Sequence, residues 1–469
     1  MPAPAEPAPG EGAAGVDLRP PRRVHVVGVG GAGMSGIATV LAAMGHRVTG
    51  SDLKASPVTE RLGALGIEVM IGHRAAQVEG AEIVTYSPAV REDNPELRRA
   101  AELGAAVHAR WEILSAVAQS RRSIAVAGTH GKTTTSSMLA LILVESGLRP
   151  SFLIGADISD LGTNAVWDDG EWLILEADES FGSFRALRPE IGVVTNVEPD
   201  HLDHYESFEH LQEAFDQFLS GAGGPRVVCA DDPVAFELGR ANDARSVGTN
   251  SEADVVMEDI ELSRSAVAFG LREGSSSLGR LTVPVPGKHN ARNAAVAAVT
   301  ALEAGARFEE ITTALARFAG VPRRFEFRGE SRGVTFVDDY AHLPSEVAAT
   351  LEAARAGGWA RLVVVFQPHR YSRTAALAPS FAHAFDQADA LVVTDVYAAG
   401  EAPVPGVSGN LVAEAVRAAG TGPPVTYAPG RDELRQVVAG MLRRGDLCCT
   451  LGAGDLTTLA DELIARTSW

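Results

Sequence analysis

The sequence predicts an α/β protein with three domains and mostly parallel sheets. Its 469 residues exceed the roughly 150 residues of an ordinary domain. From residue 22 onward, short β-rich runs alternate with longer stretches of helical period, which is typical of βαβ units. Several apolar runs also end in polar clusters. Because open α/β sheets bind ligands beyond the carboxyl ends of their strands, these clusters predict a cleft at that edge.

Composition and charge exclude several classes of function. The formal net charge of −19 argues against a nucleic-acid partner or an anionic membrane, because either would require a basic face. The three cysteines include no pair with metal-ligand spacing, which fits a reducing compartment. No apolar run reaches the roughly 18 residues needed to span a bilayer, and the first residues lack the apolar core of a signal peptide. A cytoplasmic location is therefore expected.

Two breaks divide the chain into the expected domains. A polar patch at residues 119–122 precedes a new predicted strand, and a Gly/Pro break at residues 320–324 ends a helical stretch. Residues 1–20, rich in Pro, Ala and Gly, are predicted to form a disordered tail. The predicted domains are then residues 21–118, 119–320 and 321–469.

The first domain opens with a glycine motif. An apolar run at residues 24–27 enters the G-x-G-x-x-G pattern of residues 28–33, and Asp52 ends the next predicted strand. This pattern places a pyrophosphate at a helix N-terminus and an acidic residue at a ribose. Because any nucleoside diphosphate fits that geometry, the motif predicts a pyrophosphate cradle without identifying the base. A tight turn with no ligand is the alternative.

The second domain opens with a phosphate loop. The apolar run at residues 124–127 leads into Gly-Thr-His-Gly-Lys-Thr-Thr at 128–134. Glycines let backbone N–H groups approach phosphate oxygens, and the helix N-terminus favours their negative charge. Lys132 can then reach the terminal phosphates, and the Thr133 hydroxyl can bind Mg²⁺. The strict pattern requires glycine at position 126, where this chain has Val126.

A group of carboxylates predicts a cation near this loop. Glu176, Asp178 and Glu179 follow an apolar run, and they repel one another unless a cation lies among them. Solvated charge in a loop is the alternative. His201 could add a nitrogen ligand, although Mg²⁺ prefers oxygen.

A polar patch at residues 286–293 precedes an Ala/Val-rich helix. Its asparagines could cap that helix. Its His and Asn side chains could instead contact a nucleotide base, and the residues alone leave both readings open.

Together these motifs resemble the Mur ligase family of peptidoglycan-precursor amide ligases, over essentially the whole chain after residue 21. The loop at 128–134 is similar to the family's own variant, which accounts for Val126. The pattern is most similar to the alanine-adding branch. Further matching segments are 176–180, 195–201, 287–290, 338–342 and 367–374.

The resemblance implies a Rossmann-like UDP-binding domain, a central ATPase domain with a mostly parallel sheet, and a Rossmann-like C-terminal domain that closes over the site. It implies that ATP phosphorylates the lactyl carboxylate of UDP-N-acetylmuramate, and that L-alanine attacks the acyl phosphate. ATP and Mg²⁺ are the expected cofactors, and a monomer or weak homodimer is the expected state.

The resemblance also implies roles for individual residues. The expected catalytic residues are Lys132, Glu176, His201, His342 and Arg370. The expected metal ligands are Thr133, Glu176 and His201. The expected ATP-binding residues are Gly128, Thr129, His130, Gly131, Lys132, Thr133, Thr134, His289, Asn290, Asn293, Asp338 and Asp395. The expected UDP-sugar contacts are Gly28, Gly30, Gly31, Gly33, Met34, Ser35, Asp52, His73 and Ser87. The expected amino-acid contacts are Arg323, Tyr340, His369, Arg370 and Arg373.

The chain departs from the family pattern at three positions. Leu343 stands where a second histidine is usual, and Phe181 where an aspartate is usual. Asp216 occupies the position of a carbamylated lysine in members that add later residues. A ligase that attaches a whole peptide to the same nucleotide is the nearest alternative, and it usually has tyrosine in place of Ser180. A nicotinamide-dependent oxidoreductase and a nucleotide-gated module without ligase chemistry are the alternatives from other classes.

Overall fold

A computed structural model describes residues 16–180 and 182–465. The chain divides into two compact units. Of the described residues, the first unit contains those of 16–258 with 270–281 and 292–318, and the second contains 259–269, 282–291 and 319–465. Residues 1–15 of the predicted tail and Phe181 lie outside the described residues, whereas Leu18 is buried in the first unit.

The first sheet is entirely parallel. Its strands are β1 (Arg23–Val27), β2 (Arg47–Asp52), β3 (Glu68–Ile71), β4 (Ile83–Tyr86) and β5 (Ala106–Ala109). They lie in the order β3-β2-β1-β4-β5. The order in which strands are added to the sheet therefore reverses between β1 and β4, and open sheets bind their ligands at such a switch point. The accompanying helices are α1 (Ala32–Ala43), α2 (Pro57–Ala64), α3 (Pro95–Glu102) and α4 (Arg110–Ala118).

The second sheet carries the phosphate loop. Its strands are β6 (Arg122–Ala127), β7 (Ser151–Ile158), β8 (Thr163–Val166), β9 (Trp172–Glu176), β10 (Ile191–Val194), β11 (Arg226–Cys229), β12 (Arg245–Gly248), β13 (Val255–Leu262), β14 (Val267–Glu273) and β15 (Ser276–Val283). Their order is β15-β14-β13-β12-β11-β10-β6-β9-β7-β8. Strand β6 lies between two parallel neighbours, β9 and β10, while β8 runs antiparallel to β7. The helices are α5 (Lys132–Glu145), α6 (Leu202–Tyr205), α7 (Phe208–Ser220), α8 (Pro233–Ala241), α9 (Lys288–Glu303) and α10 (Phe308–Leu315).

The third sheet lies in the second unit. Its strands are β16 (Glu326–Ser331), β17 (Val334–Asp339), β18 (Arg361–Phe366), β19 (Ala390–Val393), β20 (Val425–Tyr427) and β21 (Asp446–Leu451). They lie in the order β16-β17-β21-β18-β19-β20, and β16 is antiparallel to β17. The helices are α11 (Pro344–Ala356), α12 (Tyr371–Leu377), α13 (Asn410–Ala419), α14 (Arg431–Met441) and α15 (Thr458–Ile464). The predicted α/β fold with mostly parallel sheets is therefore confirmed.

All three cysteines are free thiols in the apolar interior. Burial raises the pKa of Cys229 to about 11 and that of Cys448 to about 12. Cys449 is fully buried beside Cys448 in β21. Within residues 16–180 and 182–465, no helix combines the length and the apolar character needed to cross a bilayer.

Val126 shows why the strict phosphate-loop pattern fails here. Its side chain is fully buried in β6, where it faces Val193 of β10 and Glu176 of β9 in register.

We expect Val126→Gly to lower the free energy of unfolding by about 2–4 kcal/mol, because it leaves a cavity in the folded protein and increases the backbone entropy of the unfolded chain. Urea unfolding measures the change. Val107→Gly on the edge strand β5, where the side chain is 36% exposed, is the control and should cost no more than about 1 kcal/mol. Equal costs for the two variants would contradict the prediction.

Candidate active site

The glycine turn after β1 is held closed by Asp52. Gly28 has φ +77°, and its N–H donates to Ser51 O at 2.8 Å. The Gly30 N–H donates to Asp52 Oδ2, also at 2.8 Å. A Cβ at Gly30 would lie 2.8 Å from that carboxylate, and one at Gly28 would lie 3.0 Å from Ser87 Cβ. Gly28 requires glycine because of its positive φ, and an added Cβ at Gly30 would displace the Asp52 carboxylate.

The remaining predicted cradle residues differ in what they present. Gly31 precedes α1. Gly33, the second residue of α1, lies against Arg110, whose Nη1 would be 2.9 Å from an added Cβ. Met34 and Ser35 are buried, and the Ser35 hydroxyl donates to a carbonyl of its own turn. Their side chains therefore belong to the core of the first unit rather than to an open surface.

The phosphate loop is tied to the end of β10. The Thr129 N–H donates to Asn196 O at 3.0 Å, and the His130 N–H donates to Asn196 Oδ1 at 2.8 Å. Gly128 and Gly131 have φ +135° and +80°. Added Cβ atoms there would collide with Thr195 and Asn293, respectively. Tight packing thus fixes the loop at the start of α5, and the Asn293 side chain lies beside Gly131.

A buried ion pair holds Lys132 at the loop. Its Nζ lies 2.8 and 2.7 Å from the two carboxylate oxygens of Glu179 and 2.6 Å from Gly128 O. Burial alone would lower the pKa of Lys132, but the nearby carboxylates of Glu179 and Asp178 raise it. For Glu179, burial raises the pKa to about 7 despite the attraction of Lys132. The ammonium is therefore charged, and burial holds the pKa of Glu179 above that of an ordinary glutamate.

Thr133 and Glu176 offer two hard oxygen ligands. The Thr133 hydroxyl donates to Glu176 Oε1 at 3.0 Å, and Glu176 Oε2 accepts from the Gly155 N–H at 2.9 Å. In the part of the chain that the structure describes, no group of three or more His, Cys, Asp or Glu side chains could hold a metal ion. Mg²⁺ is commonly bound by one or two protein oxygens and completed by phosphate oxygens and waters. This hydroxyl–carboxylate pair fits that requirement.

Asp178 and His201 lie in an adjacent polar chain. Arg110 Nη2 donates to Asp178 Oδ2 at 3.1 Å, and the Ser180 hydroxyl donates to Asp178 Oδ1 at 2.5 Å. His201 Nε2 lies 3.3 Å from Ser180 Oγ and 3.4 Å from Asp200 Oδ2. Partial burial would raise the pKa of Asp178, but Arg110 and Lys132 lower it strongly. Asp178 is thus an anion that Arg110 compensates.

In the second unit, an aromatic group surrounds two predicted histidines. The rings of Tyr340 and His342 are 5.5 Å apart, and those of His342 and His369 are 5.7 Å apart. His369 stacks on Tyr397 at 5.8 Å. Burial, with the charges of neighbouring residues that include Arg373, lowers the pKa of His369 to about 4. Burial also lowers the pKa of His342, so both imidazoles are neutral at pH 7.

Arg370 has an unusual backbone conformation, and Glu401 binds its side chain. Its backbone has φ +70°, and its Nε donates to Glu401 Oε1 at 2.7 Å. Ser372 donates to both oxygens of the same carboxylate. Although burial raises the pKa of Glu401, the bonds from Ser372 and Arg370 lower it to about 2. Glu401 was not predicted from the sequence, where its only signal is a single charge in the Ala/Gly/Pro-rich segment 398–406.

Arg323 and Asp338 are bonded to each other and to the third sheet. Asp338 is 1% exposed and accepts hydrogen bonds from Thr450 at 2.7 Å and Thr457 at 2.6 Å. Arg323 Nε lies 3.4 Å from Asp338 Oδ2, and its guanidinium lies 4.9 Å from the centre of the Tyr340 ring. The structure therefore places Arg323 beside Tyr340, while the oxygens of Asp338 are engaged by protein donors.

Three other predicted contacts also have internal partners. The Asn290 amide, in the first turn of α9, donates to Pro286 O at 2.7 Å. Asp395 Oδ1 accepts from the N–H groups of Val396 and Gly409 at 2.9 and 3.0 Å. Arg373 Nη1 lies 3.2 Å from His369 Nδ1. Arg373 thus belongs to the same group as His342 and His369.

Comparison with known proteins places the chain among ligases. Three family models match it in order: "Mur ligase family, catalytic domain" at residues 23–122, "Mur ligase middle domain" at 126–301 and "Mur ligase, glutamate ligase domain" at 323–454. The UDP-N-acetylmuramate–L-alanine ligases of Anaeromyxobacter sp. (strain Fw109-5) and Geobacter sp. (strain M21) are 44% and 45% identical to it. Each comparison covers 95% of this chain and 97% of the relative.

Solved structures agree. The UDP-N-acetylmuramate–alanine ligase of Thermotoga maritima matches with a TM-score of 0.80 at 28% identity, covering 95% of this chain and 99% of that one. A murein peptide ligase of Psychrobacter arcticus 273-4 has a TM-score of 0.68 at 23% identity, covering 94% and 98%, and this likeness concerns the fold alone. The family resemblance and the predicted three-domain architecture are confirmed.

The burial of Glu179 makes stability depend on pH. Its pKa of about 7 exceeds the ordinary glutamate value of about 4.3 in an unfolded chain, so the folded state holds the proton more tightly. The resulting stabilisation is fully present below the ordinary value and is lost as pH rises to about 7. We expect the free energy of unfolding of the wild type, relative to Glu179→Gln, to fall by roughly 2–3 kcal/mol between pH 4 and 8.

Urea titrations of both proteins at each pH measure this difference. Glu213→Gln, which changes an exposed glutamate on α7, is the matched control for removal of a charge. A difference that stays flat or increases with pH would show that Glu179 is not protonated preferentially in the folded state.

Proposed function

Because this chain belongs to the Mur ligase family, we propose that it is an ATP-dependent ligase that joins L-alanine to the lactyl carboxylate of UDP-N-acetylmuramate. The observation that carries the proposal is the identity of 44–45% over 95% of the chain to ligases of that name. The family uses ATP. The glycine turn with Asp52 and the phosphate loop with Lys132 supply the two anion-binding sites that such a reaction requires.

The chemistry explains why two such sites are needed. A carboxylate is a poor electrophile, because it is anionic and its leaving group would be oxide. In the proposed reaction a lactyl carboxylate oxygen attacks the γ-phosphorus of ATP, and ADP leaves. The amine of L-alanine then attacks the acyl carbon, phosphate leaves with the bonding electrons, and the nitrogen loses a proton. The protein has to position anions and neutralise their charge.

Lys132 would neutralise the terminal phosphates. In the structure its ammonium is engaged by Glu179 at 2.7 Å, so a bound triphosphate has to compete with that carboxylate. Because the pKa of Glu179 is raised to about 7, the carboxylate can take up a proton near neutral pH and release Lys132. While Glu179 is ionised, the ion pair keeps the ammonium charged and beside the phosphate loop.

Thr133 and Glu176 would hold Mg²⁺ beside the loop. When bound, the ion supplies positive charge to the phosphate oxygens. We assign His201 to a second metal or phosphate contact on the family resemblance alone. The adenine is assigned to His289, Asn290 and Asn293, supported for Asn293 by its packing against Gly131.

The second unit would bind the amino acid. Arg370 and Arg373 carry the positive charge that an amino-acid carboxylate requires. The neutral rings of His342 and His369 can accept hydrogen bonds from its ammonium group. The ribose assignment to Asp338 and Asp395 remains a proposal, and it would require their internal hydrogen bonds to be exchanged.

Three further proposals accompany this function. The domain boundaries at 118/119 and 320/321 rest on the polar patch and the Gly/Pro break in the sequence. Action in the cytoplasm rests on the composition of the chain, and a monomer or weak homodimer rests on the family resemblance.

Phosphate release tests the proposal. With ATP, Mg²⁺ and UDP-N-acetylmuramate, we expect L-alanine to stimulate release far more than glycine, L-serine or a tripeptide. Lys132→Ala should lower the rate at least about 100-fold, since a group that stabilises transferring phosphate is lost, while UDP-sugar binding measured by calorimetry stays within threefold. If none of the four acceptors stimulates phosphate release, the ligase assignment is wrong. A tripeptide preferred over alanine would favour the peptide-attaching alternative.

Glu401 should govern affinity for the amino acid. Without the Glu401 carboxylate, the Arg370 guanidinium loses the partner of its Nε. We expect Glu401→Ala to raise the KM for L-alanine about tenfold and to change the KM for ATP less than threefold, as loss of a charge-assisted hydrogen bond predicts. Glu414→Ala, at an exposed glutamate on α13, is the control. An unchanged KM for alanine in Glu401→Ala would remove Arg370 from the amino-acid site.

A further inference from the structure

We infer that Glu96 is a positioning residue that fixes the tautomer of His73 and thereby makes the nucleotide cradle select uracil over cytosine. This inference rests on the proposed binding of a UDP-sugar to the first sheet, and it adds a residue outside the predicted site. It is based on the buried Glu96 carboxylate, which has four hydrogen-bond partners in the protein.

Glu96 lies in the first turn of α3 and is fully buried. Its Oε2 lies 2.9 Å from His25 Nε2 and 2.7 Å from Ser51 Oγ. Its Oε1 lies 3.0 Å from His73 Nδ1 and 3.2 Å from the Arg74 backbone nitrogen. His25 and Ser51 are likewise fully buried, so bulk water cannot replace their hydrogen bonds to Glu96.

The geometry determines where the protons lie. Burial would raise the pKa of Glu96, but hydrogen bonds from His25 and Ser51 outweigh it and lower that pKa. An ionised carboxylate only accepts, and it has about four lone-pair sites. Each of its four neighbours must therefore donate. In the neutral ring of His73, the proton is consequently on Nδ1, and Nε2 carries a lone pair.

His73 lies next to the cradle. It follows β3, and the N–H of the preceding Gly72 donates to Asp52 O at 2.7 Å. The Asp52 carboxylate in turn accepts from Gly30 at 2.8 Å. With pyrophosphate at the glycine turn and ribose at the end of β2, the base extends toward the end of β3. The His73 side chain is 14% exposed, and no described residue bonds its Nε2.

An acceptor at this position distinguishes the two pyrimidines. Uracil has an N3–H donor between two carbonyls, whereas cytosine has a lone pair at N3. The His73 Nε2 lone pair can accept the uracil proton, but it would face the cytosine lone pair and leave both unsatisfied. Sites built around such a bond reject the analogue that lacks the matching proton.

Calorimetric titration of the full chain with UDP and with CDP at pH 8 tests this. The wild type should bind UDP at least tenfold more tightly. His73→Phe, which keeps a ring without nitrogen, should bring the two dissociation constants within threefold of each other. Glu96→Leu should reduce the preference as well. Glu96→Gln should retain most of it, because its amide oxygen can still accept from His73 and Arg74.

The ratio of the two constants is the deciding readout, since a general structural loss weakens both nucleotides alike. Equal binding of UDP and CDP by the wild type, or an unchanged ratio in His73→Phe, overturns the inference. Should Glu96→Leu fail to fold, ¹⁵N NMR of the wild type decides the role of Glu96, and a His73 ring that carries its proton on Nε2 at pH 8 would overturn it. Equal binding with alanine-dependent phosphate release intact would leave the proposed function standing. If neither nucleotide binds, the proposed function fails and the inference with it.

Discussion

The ion pair between Lys132 and Glu179 is the interaction on which the phosphate loop depends. A buried ammonium without a counterion would lose its proton or destabilise the fold, and this loop requires a lysine beneath its glycines. The carboxylate comes from the segment after β9, and Lys132 also bonds the Gly128 carbonyl. The loop, the neighbouring strand end and α5 are thereby joined at one point. An overall charge of −19 is compatible with anion binding because the relevant charges are fixed locally.

Other charged side chains of the candidate site are likewise compensated by a partner inside the protein. Arg110 compensates Asp178, Glu401 holds Arg370, and His25 with Ser51 satisfies Glu96. In each case a side chain from one strand end is completed by a residue distant in sequence. Parallel strands make this possible, because their carboxyl ends meet at one edge and bring separate segments together.

The sequence predicted what short segments encode. Alternating periodicity predicted the parallel sheets, and the glycine patterns predicted the turn at Gly28–Gly33 and the loop around Lys132, since backbone conformation there demands particular residues. Glu96 and Glu401 were not predicted, because their roles arise only from tertiary contacts. The burial of Asp338 and of the Met34 side chain was equally invisible, because a motif indicates which residues gather and not which atoms remain available.

The deep placement of the three cysteines bears on how this molecule can be studied. Maleimides react with thiolates, and burial holds the thiol pKa of Cys229 at about 11 and that of Cys448 at about 12. The native thiols are therefore expected not to react with maleimide dyes in the folded protein. A cysteine introduced at an exposed surface position can carry a fluorophore without prior removal of the natural ones. Two fluorophores, one attached to each compact unit, would then report the distance between their attachment sites during turnover.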